Sequence, residues 1–294
     1  MSGRREVARR PSAGEAARER LLAGLPVGER RLDLAGVSTA VLEGGDGPPV
    51  VLLHGLGEFA AVWMRVVPEL AASHRVVVPD LPAHGASTPA GGPLDADWVL
   101  GWLDELIGRT CPSPPALVGH GLGGAIAARF ALAHGRRLGP LVLVDAYGLD
   151  RYRPSPAFTL ATIGYLARPG RRSQDRMFRQ CMADLDGVRE AMGADWEPFE
   201  AYALDRAGTP GMRDAGRLMA LGRAAIPPAD LERIAVPTTL IWGRDDRQVR
   251  LRVAEAASAR YGWPLRVIDG AADDPAMERP GAFLAALRAA LGSA

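Results

Sequence analysis

A strand, a sharp turn and a helix are predicted around residues 116–130, and the turn is the place where a reactive side chain would be expected. The turn reads Gly-His-Gly-Leu-Gly over residues 119–123. An apolar run precedes it, and a helical pattern rich in small residues follows it. A unit of this kind can lift a nucleophile above the end of a parallel sheet. The residue at its tip is Gly121, which has no side-chain atom that could attack a substrate.

Strands and helices alternate over most of the chain. Continuous apolar runs are typical of strands buried on both faces, and helical patterns lie between them. This alternation predicts an α/β fold with a mostly parallel sheet covered on both sides. The predicted strands span residues 30–34, 37–42, 50–53, 75–80, 117–118, 141–145, 238–242 and 265–268.

The alternation stops between residues 149 and 237. That segment has helical periodicity, contains five of the eight methionines and is rich in aromatic residues. We expect a helical cap inserted over the carboxyl edge of the sheet. The predicted organisation is a flexible extension at residues 1–25, a core formed by residues 26–148 and 233–294, and a cap at residues 149–232.

Composition limits the classes of function. Of the 294 residues, 48% are hydrophobic and 23% are charged, which is typical of a globular protein. A net charge of +1 argues against nucleic-acid binding. All 35 basic residues are arginines, so no lysine is available for Schiff-base chemistry. We expect a cytoplasmic monomer or homodimer with no membrane partner, because no apolar run approaches the roughly 20 residues that span a bilayer.

No metal or cofactor is predicted. Cys111 and Cys181 are far apart and lack the spacing of a disulfide framework or a zinc site.

Five segments, in order along the chain, resemble the α/β-hydrolase superfamily, specifically its cap-bearing, epoxide-hydrolase and esterase-like members. They read His-Gly-Leu-Gly, Pro-Asp-Leu-Pro-Ala-His-Gly-Ala-Ser, Gly-His-Gly-Leu-Gly-Gly, Trp-Gly-Arg-Asp-Asp and Gly-Ala-Ala-Asp-Asp-Pro-Ala-Met-Glu-Arg-Pro. They occupy residues 54–57, 79–87, 119–124, 242–246 and 270–280. The resemblance covers nearly everything after residue 27, and it implies the α/β-hydrolase fold, a doubly wound sheet with an inserted helical cap.

The resemblance also assigns positions to a catalytic triad, and two of the three differ here. Gly121 stands where the family has its nucleophile, and Asp273 stands where it has histidine. The triad acid maps to Asp246. Serine hydrolysis and the related aspartate-nucleophile chemistry are therefore not expected.

Chemistry without a nucleophile is still open to this chain. The resemblance implies an oxyanion hole made by the backbone N–H groups of Leu56 and Leu122. Asp246 and Asp273 would face each other in the family geometry, so that one carboxyl pKa would rise and the pair could act as general acid or base. Alternatively, Asp273 caps a turn in solvent, or Asp274 is the residue that points inward.

Other titratable residues are candidates for the same pocket. His120 packs beneath the oxyanion loop in the family, but acid–base work is also open to it. Glu58 follows that loop and could overlook the pocket. His54 is included as a pocket residue, although the interpretation that it supports loop structure is preferred for His54 and His84.

The aromatic residues of the cap form its own core or line the cleft, and a subset is expected to line it because ligand sites are mostly apolar. The implied ligand is a large hydrophobic small molecule, aromatic or polyketide-like. The predicted pocket residues beside His54 are Tyr147, Phe158, Tyr165, Phe178 and Trp196.

Three functions follow from these features. The first is a non-hydrolytic enzyme of natural-product biosynthesis that catalyses cyclisation, C–C bond formation or elimination. The second is a catalytically silent binding protein. The third is a hydrolase in which the aspartates activate water. The first is the main hypothesis, because the oxyanion loop and the acid position survive the loss of the nucleophile.

Overall fold

Nine strands form a single sheet within residues 12–292, the part of the chain that the computed structural model describes. The apolar runs named above form its central strands because both of their faces are buried. The strands are β1 Gly28–Leu34, β2 Val37–Gly44, β3 Pro49–Leu53, β4 Arg75–Pro79, β5 Thr88–Pro89, β6 Ala116–His120, β7 Leu141–Val144, β8 Thr238–Gly243 and β9 Leu265–Ile268.

The strand order is β1-β2-β4-β3-β6-β7-β8-β9, with β5 paired to β2. Strand β2 pairs antiparallel with β1, β4 and β5. The remaining pairings, which join β4-β3-β6-β7-β8-β9 in that order, are all parallel. The carboxyl ends of β3, β6, β7, β8 and β9 therefore lie at one edge of the sheet. Ligands of open parallel sheets bind at this edge.

Helices cover both faces, as predicted. The helices are α1 Ala13–Leu22, α2 Val67–Ala71, α3 Ala96–Thr110, α4 Gly121–His134, α5 Pro156–Ala167, α6 Arg171–Cys181, α7 Leu185–Met192, α8 Trp196–Ala207, α9 Pro210–Arg223, α10 Pro228–Leu231, α11 Leu251–Tyr261, α12 Pro275–Glu278 and α13 Pro280–Leu291. Helices α3, α4 and α11 contribute to the apolar core on one side of the sheet, and α2 and α13 contribute to the core on the other. The mostly parallel, doubly wound α/β architecture is confirmed.

Helices α5 to α10 all lie between β7 and β8, and the described chain has no strand in that interval. Helix α5 begins at a capped end, where the Ser155 hydroxyl accepts a hydrogen bond from the Phe158 amide at 3.1 Å. Five of these helices, α5 to α9, make up most of the segment predicted as a cap.

The predicted flexible extension is wrong for residues 12–25, and residues 1–11 lie outside the described residues. Helix α1 begins with a capping box in which Ser12 and Glu15 exchange side-chain and backbone hydrogen bonds. It packs against α8. Its Arg18 pairs with Asp80 at 3.1 Å and with Glu29 at 2.9 Å. The helix was difficult to predict because its buried residues form only a weak apolar pattern; they are Gly14, Ala17, Arg18 and Leu21.

None of the helices in residues 12–292 is long and apolar enough to cross a bilayer.

Candidate functional site

The turn between β6 and α4 has the sharp geometry that the sequence predicts. Gly121 has a φ of +50°, in the left-handed region that favours glycine. A Cβ atom at this position would lie 3.6 Å from the Gly55 Cα and 3.8 Å from the Tyr147 Cζ. These are ordinary contact distances, so a Cβ atom would fit at this position without a clash.

The turn also needs glycine for close packing. A Cβ atom on Gly123 would lie only 2.5 Å from the carbonyl oxygen of Leu53, at the end of β3. Helix α4 therefore approaches the loop after β3 so closely that there is no room for a side chain at Gly123. This approach places the first turn of α4 beside residues 54–58.

The two amides expected to form an oxyanion hole belong to these neighbouring segments. Leu122 lies in the first turn of α4, where backbone N–H groups have no intrahelical acceptor. Leu56 lies in the loop after β3, and that loop is held by Glu58, whose Oε2 accepts a 2.6 Å hydrogen bond from the Gly55 amide. The positive end of the α4 dipole adds to the attraction for an anion.

His120 is held between two acceptors. Its Nδ1 lies 3.2 Å from Glu58 Oε2, and its Nε2 lies 2.6 Å from the backbone carbonyl oxygen of Asp273. A carboxylate and a carbonyl oxygen only accept hydrogen bonds, so this geometry favours a ring that carries protons on both nitrogens, an imidazolium. Burial would lower the pKa of His120, but the charge of Glu58 and the hydrogen bonds to Asp273 and Glu58 raise it well above its usual value.

Asp273 points a free carboxyl oxygen towards this cluster. Its Oδ1 lies 3.8 Å from His120 Nε2 and has no hydrogen-bond partner among the described residues. Burial raises the pKa of Asp273, and the nearby charge of His120 offsets only part of that rise. The neighbouring Asp274 caps α12 by accepting a 3.3 Å hydrogen bond from the Met277 amide. Both aspartates line the cavity, and of the two it is Asp273 that has a buried carboxyl oxygen without a partner in the described residues.

Asp246 is held by backbone amides. Its carboxylate accepts backbone hydrogen bonds from Gln248 at 2.6 Å and from Val249 at 3.1 Å, and it is not among the residues lining the cavity. Burial and the charge of Asp273 raise the pKa of Asp246 well above its usual value. The two carboxyls therefore interact electrostatically, whereas the hydrogen-bonding partner of Asp273 is His120.

Asp145 is a buried acid that the sequence reasoning missed. It follows β7 with a φ of +40°, and its Oδ1 accepts a 3.0 Å hydrogen bond from the Gly243 amide. Its Oδ2 is buried without a partner in the described structure. Burial and the nearby charge of Asp246 raise the pKa of Asp145 well above its usual value. An acid directly after a buried strand is the signal that could have identified it.

A cavity of about 220 Å³ lies above Gly121, between the strand ends and the helices of the inserted segment. Most of its lining is apolar, which suits an apolar ligand. Four of the predicted pocket residues, Tyr147, Phe158, Tyr165 and Phe178, line it. Lining residues that the sequence analysis did not identify include Val62, Thr162, Leu166, Met177, Cys181, Met182, Phe199 and Met219.

Two predicted pocket residues lie elsewhere. His54 is fully buried beneath the cavity, where its Nε2 accepts a 2.9 Å hydrogen bond from the Leu81 amide. Trp196 packs against Phe178 and Phe199 outside the lining, with its ring 5.2 Å from the Arg189 guanidinium carbon. The role of His54 is to hold the loop after β4, and Trp196 belongs to the core of the helical segment.

Cys181 is the one thiol that lines the cavity. Burial and the surrounding carboxylates, led by Asp273, raise its pKa well above the usual value. A thiol kept protonated is a weak nucleophile. Cys181 therefore does not replace the missing serine.

Several known proteins are similar to this chain. A protein named pimeloyl-[acyl-carrier protein] methyl ester esterase from Aeromonas hydrophila is 42% identical over 108 residues, which is 37% of this chain and 41% of that protein. The esterase of the same name from Edwardsiella ictaluri is 30% identical and covers 81% of this chain and 91% of its own length. The magnesium-chelatase 30 kDa subunit of Rhodobacter capsulatus is 34% identical over 76% of this chain and 80% of that protein.

A family model described as the alpha/beta hydrolase family matches residues 50–287. That range contains the sheet from β3 onward, the turn at Gly121 and the whole inserted helical segment. The chain belongs to the alpha/beta hydrolase family.

Proposed function

We propose that this member of the family is an enzyme that transforms an apolar small molecule without a covalent intermediate. The observation that supports this proposal most directly is that Asp273, whose Oδ1 is buried without a hydrogen-bond partner in the described residues, is among the residues lining the cavity above Gly121. The reaction class is proton transfer next to a carbonyl, leading to cyclisation, C–C bond formation or elimination. An aromatic or polyketide-like substrate of natural-product biosynthesis fits the apolar lining.

Asp273 is the proton-transfer group in this proposal. Its carboxylate removes a proton from the carbon next to the substrate carbonyl, and the electron pair of the C–H bond moves onto the carbonyl oxygen. A carboxyl with a raised pKa suits this work, because a general base is most effective when its pKa is close to the working pH. The protonated Asp273 then returns the proton to the product.

The amides of Leu56 and Leu122 stabilise the oxygen that becomes negative in this step. Such donors do not depend on a serine side chain, and losing one typically costs about 10²–10³ in rate. His120 and Glu58 are positioning residues. His120 binds the Asp273 backbone, and Glu58 binds both His120 and the Gly55 amide.

This assignment replaces the predicted Asp246–Asp273 pair as the acid–base unit. Asp246 is held by two backbone amides outside the cavity lining, so it acts on Asp273 only through its charge. His120 and Glu58 therefore have a larger role in the proposed mechanism than the sequence analysis assigned to them.

Hydrolysis by a water molecule activated at Asp273 is a second candidate function. It is favoured by two relatives that are named methyl ester esterases, one of which covers 81% of this chain. In that reaction the carboxylate takes a proton from water as the water oxygen attacks the ester carbonyl, and the same two amides stabilise the tetrahedral oxygen. The intermediate then collapses, the C–O bond to the alcohol breaks, and the protonated Asp273 gives its proton to the departing alkoxide.

An exchange experiment tests the first function. The α-protons of 2-tetralone, an apolar aromatic ketone, are followed by NMR as they are replaced by deuterium from the solvent. We expect the protein to accelerate this exchange, and we expect Asp273→Asn to slow it by about 10² or more. Asp274→Asn is the matched control, because asparagine caps a helix as well as aspartate does and the exchange rate should change little.

Two other results would reject this assignment. If exchange stays at the buffer rate while 4-nitrophenyl butyrate is cleaved with oxygen-18 entering the acid, the protein is a water-activating hydrolase. If 2-tetralone binds but neither reaction is accelerated, the pocket belongs to a binding protein.

A further inference from the structure

A second cleft, of about 440 Å³, lies beside the candidate site and is lined by arginines from two separate loops. Arg151 and Arg153 precede α5, whereas Arg247, Arg250 and Arg252 lie between β8 and the first turn of α11. All five are exposed. In residues 12–292 none of them forms an ion pair with a carboxylate, and Arg247 donates only to the Arg179 carbonyl oxygen at 3.2 Å.

The charge of this cleft is therefore largely uncompensated. Asp150 is its one acidic lining residue, and the Asp150 Oδ1 accepts a 2.7 Å hydrogen bond from the Arg151 amide. Five arginines against one aspartate leave a net charge of +4 in a protein whose total is +1. Convergent positive charge on two loops raises the local concentration of anions.

Helix α11 adds to this field. It has 11 residues, and its N-terminus at Leu251 lies in the wall of the cleft next to Arg250 and Arg252. No side chain caps this end, although the Val253 amide in its first turn donates to the Arg250 carbonyl oxygen at 2.8 Å. The N-terminal end of a helix dipole also favours an anion.

The floor of the cleft holds a buried polar side chain with an unused donor. Gln248 is 4% exposed and accepts a 3.0 Å hydrogen bond from the Tyr152 hydroxyl through its Oε1. Its Nε2 has no hydrogen-bond partner in the described residues. Buried amide donors rarely stay unpaired, so the donor indicates a missing acceptor.

One residue, Tyr147, connects this cleft with the apolar cavity by lining both of them. Its ring stacks on Tyr152 at 4.3 Å between centroids, and its amide donates to the Gly121 carbonyl oxygen at 3.0 Å. Tyr147 is therefore the point at which the arginine cleft adjoins the cavity above Gly121.

We propose that the arginine cleft binds the phosphate or diphosphate end of an amphiphilic substrate whose apolar body occupies the cavity; this identification of the substrate rests on the proposed function. Arginines bind phosphate oxygens in pairs of parallel hydrogen bonds, and several guanidinium groups suit a group that carries more than one charge. A lone carboxylate would leave most of them unpaired.

Binding of inorganic diphosphate, measured by titration calorimetry at low ionic strength, tests the anion site directly. We expect the variant Arg153→Gln/Arg250→Gln, which removes one arginine from each loop, to bind diphosphate at least tenfold more weakly. The matched control is Arg136→Gln/Arg266→Gln, which makes the same charge change at two exposed positions outside both cavities. Its affinity should equal that of the wild type. Failure of the wild type to bind diphosphate, or an equal loss in the control, overturns the proposal.

A second measurement tests whether the anion belongs to the substrate. Dodecyl phosphate and dodecanol are compared as competitors for Nile red, a neutral apolar dye, bound to the protein. We expect dodecyl phosphate to displace the dye at a concentration at least tenfold lower in the wild type and in the control. In Arg153→Gln/Arg250→Gln the two competitors should displace the dye at about equal concentrations. If dodecyl phosphate keeps its tenfold advantage over dodecanol in that variant, the cleft and the cavity hold separate ligands and the proposal is rejected.

These binding assays do not depend on turnover. A failed ketone exchange with intact phosphate selectivity would reject the proposed chemistry and leave the substrate class standing. If the ketone exchange is accelerated but dodecyl phosphate has no advantage over dodecanol, only the phosphate assignment is rejected.

Discussion

The Nε2 atom of His120 lies 2.6 Å from the backbone carbonyl oxygen of Asp273, although 153 residues separate the two in the chain. This hydrogen bond joins the turn that carries Gly121 to the loop after β9. Glu58 approaches the other ring nitrogen, so three loops at the carboxyl edge of the sheet meet at one imidazolium. A charged histidine here organises the site without an attacking group beside it.

The first prediction concerns pH. The raised pKa of folded His120 means that its contribution to stability is complete below its unfolded pKa of about 6.5 and is lost as pH rises through the folded value. Between pH 6 and pH 8.5 the free energy of unfolding in urea should therefore fall for the wild type, and His120→Gln should reduce this slope. His134→Gln, at a half-buried position at the end of α4, should retain the wild-type slope. Equal slopes in all three proteins would show that His120 is neutral.

A second prediction concerns Asp145, whose Oδ2 is buried without a partner. Asp145→Asn removes a like charge beside Asp246, retains an oxygen for the Gly243 amide and suits the positive φ, because asparagine tolerates it well. We expect the free energy of unfolding at pH 7 to rise by about 1–3 kcal/mol.

The gain from Asp145→Asn should shrink as pH falls towards 4. An aspartate whose folded pKa is raised destabilises the protein only above its unfolded pKa, so protonation removes the difference. The exposed Asp46→Asn provides the control and should leave stability unchanged at either pH. Loss of stability in Asp145→Asn would mean that its carboxylate is needed as an anion.

The third prediction restores a nucleophile. Gly121→Ser places a hydroxyl in open space, but at a φ of +50° it should cost about 1–2 kcal/mol of stability. Alone it should not cleave 4-nitrophenyl butyrate, because Asp273 is not a histidine. The double variant Gly121→Ser/Asp273→His should show a burst of 4-nitrophenol from an acyl-enzyme. Gly121→Ala/Asp273→His shares the backbone strain and should show none; a burst there would place the nucleophile elsewhere.

A fourth prediction separates the two faces of α5. Phe158 lines the cavity, whereas Leu160 is 73% exposed on the outer face of the same helix. Phe158→Ala should weaken Nile red binding about tenfold, since burying a phenylalanine side chain against a ligand contributes roughly 1.5–3 kcal/mol. Leu160→Ala should leave the affinity unchanged. The result is read by dye fluorescence, with the melting temperatures checked to show that both variants fold.

The sheet and its glycine turn could be predicted because their signals are local. Apolar runs such as residues 50–53 define buried strands, and the Gly-His-Gly-Leu-Gly run defines the turn at Gly121. Each of these two signals lies within a few consecutive residues of the chain. The acid at Asp246 was assigned by a similarly local signal, the Trp-Gly-Arg-Asp-Asp segment that begins at the end of a predicted strand.

The partners of the site could not be predicted in the same way. The hydrogen bond that joins His120 to the backbone carbonyl oxygen of Asp273 was not predicted, because a backbone acceptor is independent of the residue type. Trp196 was placed in the pocket on its aromatic character alone. Its packing against Phe199 depends on which face of α8 meets the cavity, and that is set by tertiary packing.

Arg18 gives helix α1 a mechanical role. Its guanidinium pairs with Asp80, directly after β4, and lies 5.5 Å from the centroid of the Tyr202 ring on α8. This one side chain therefore links the inserted helices to the sheet. Tyr202 in turn packs on Phe59, a residue of the cavity lining, with 4.7 Å between the ring centroids. Helix α1 therefore connects a buried acid of the core with the helical segment that covers the cavity.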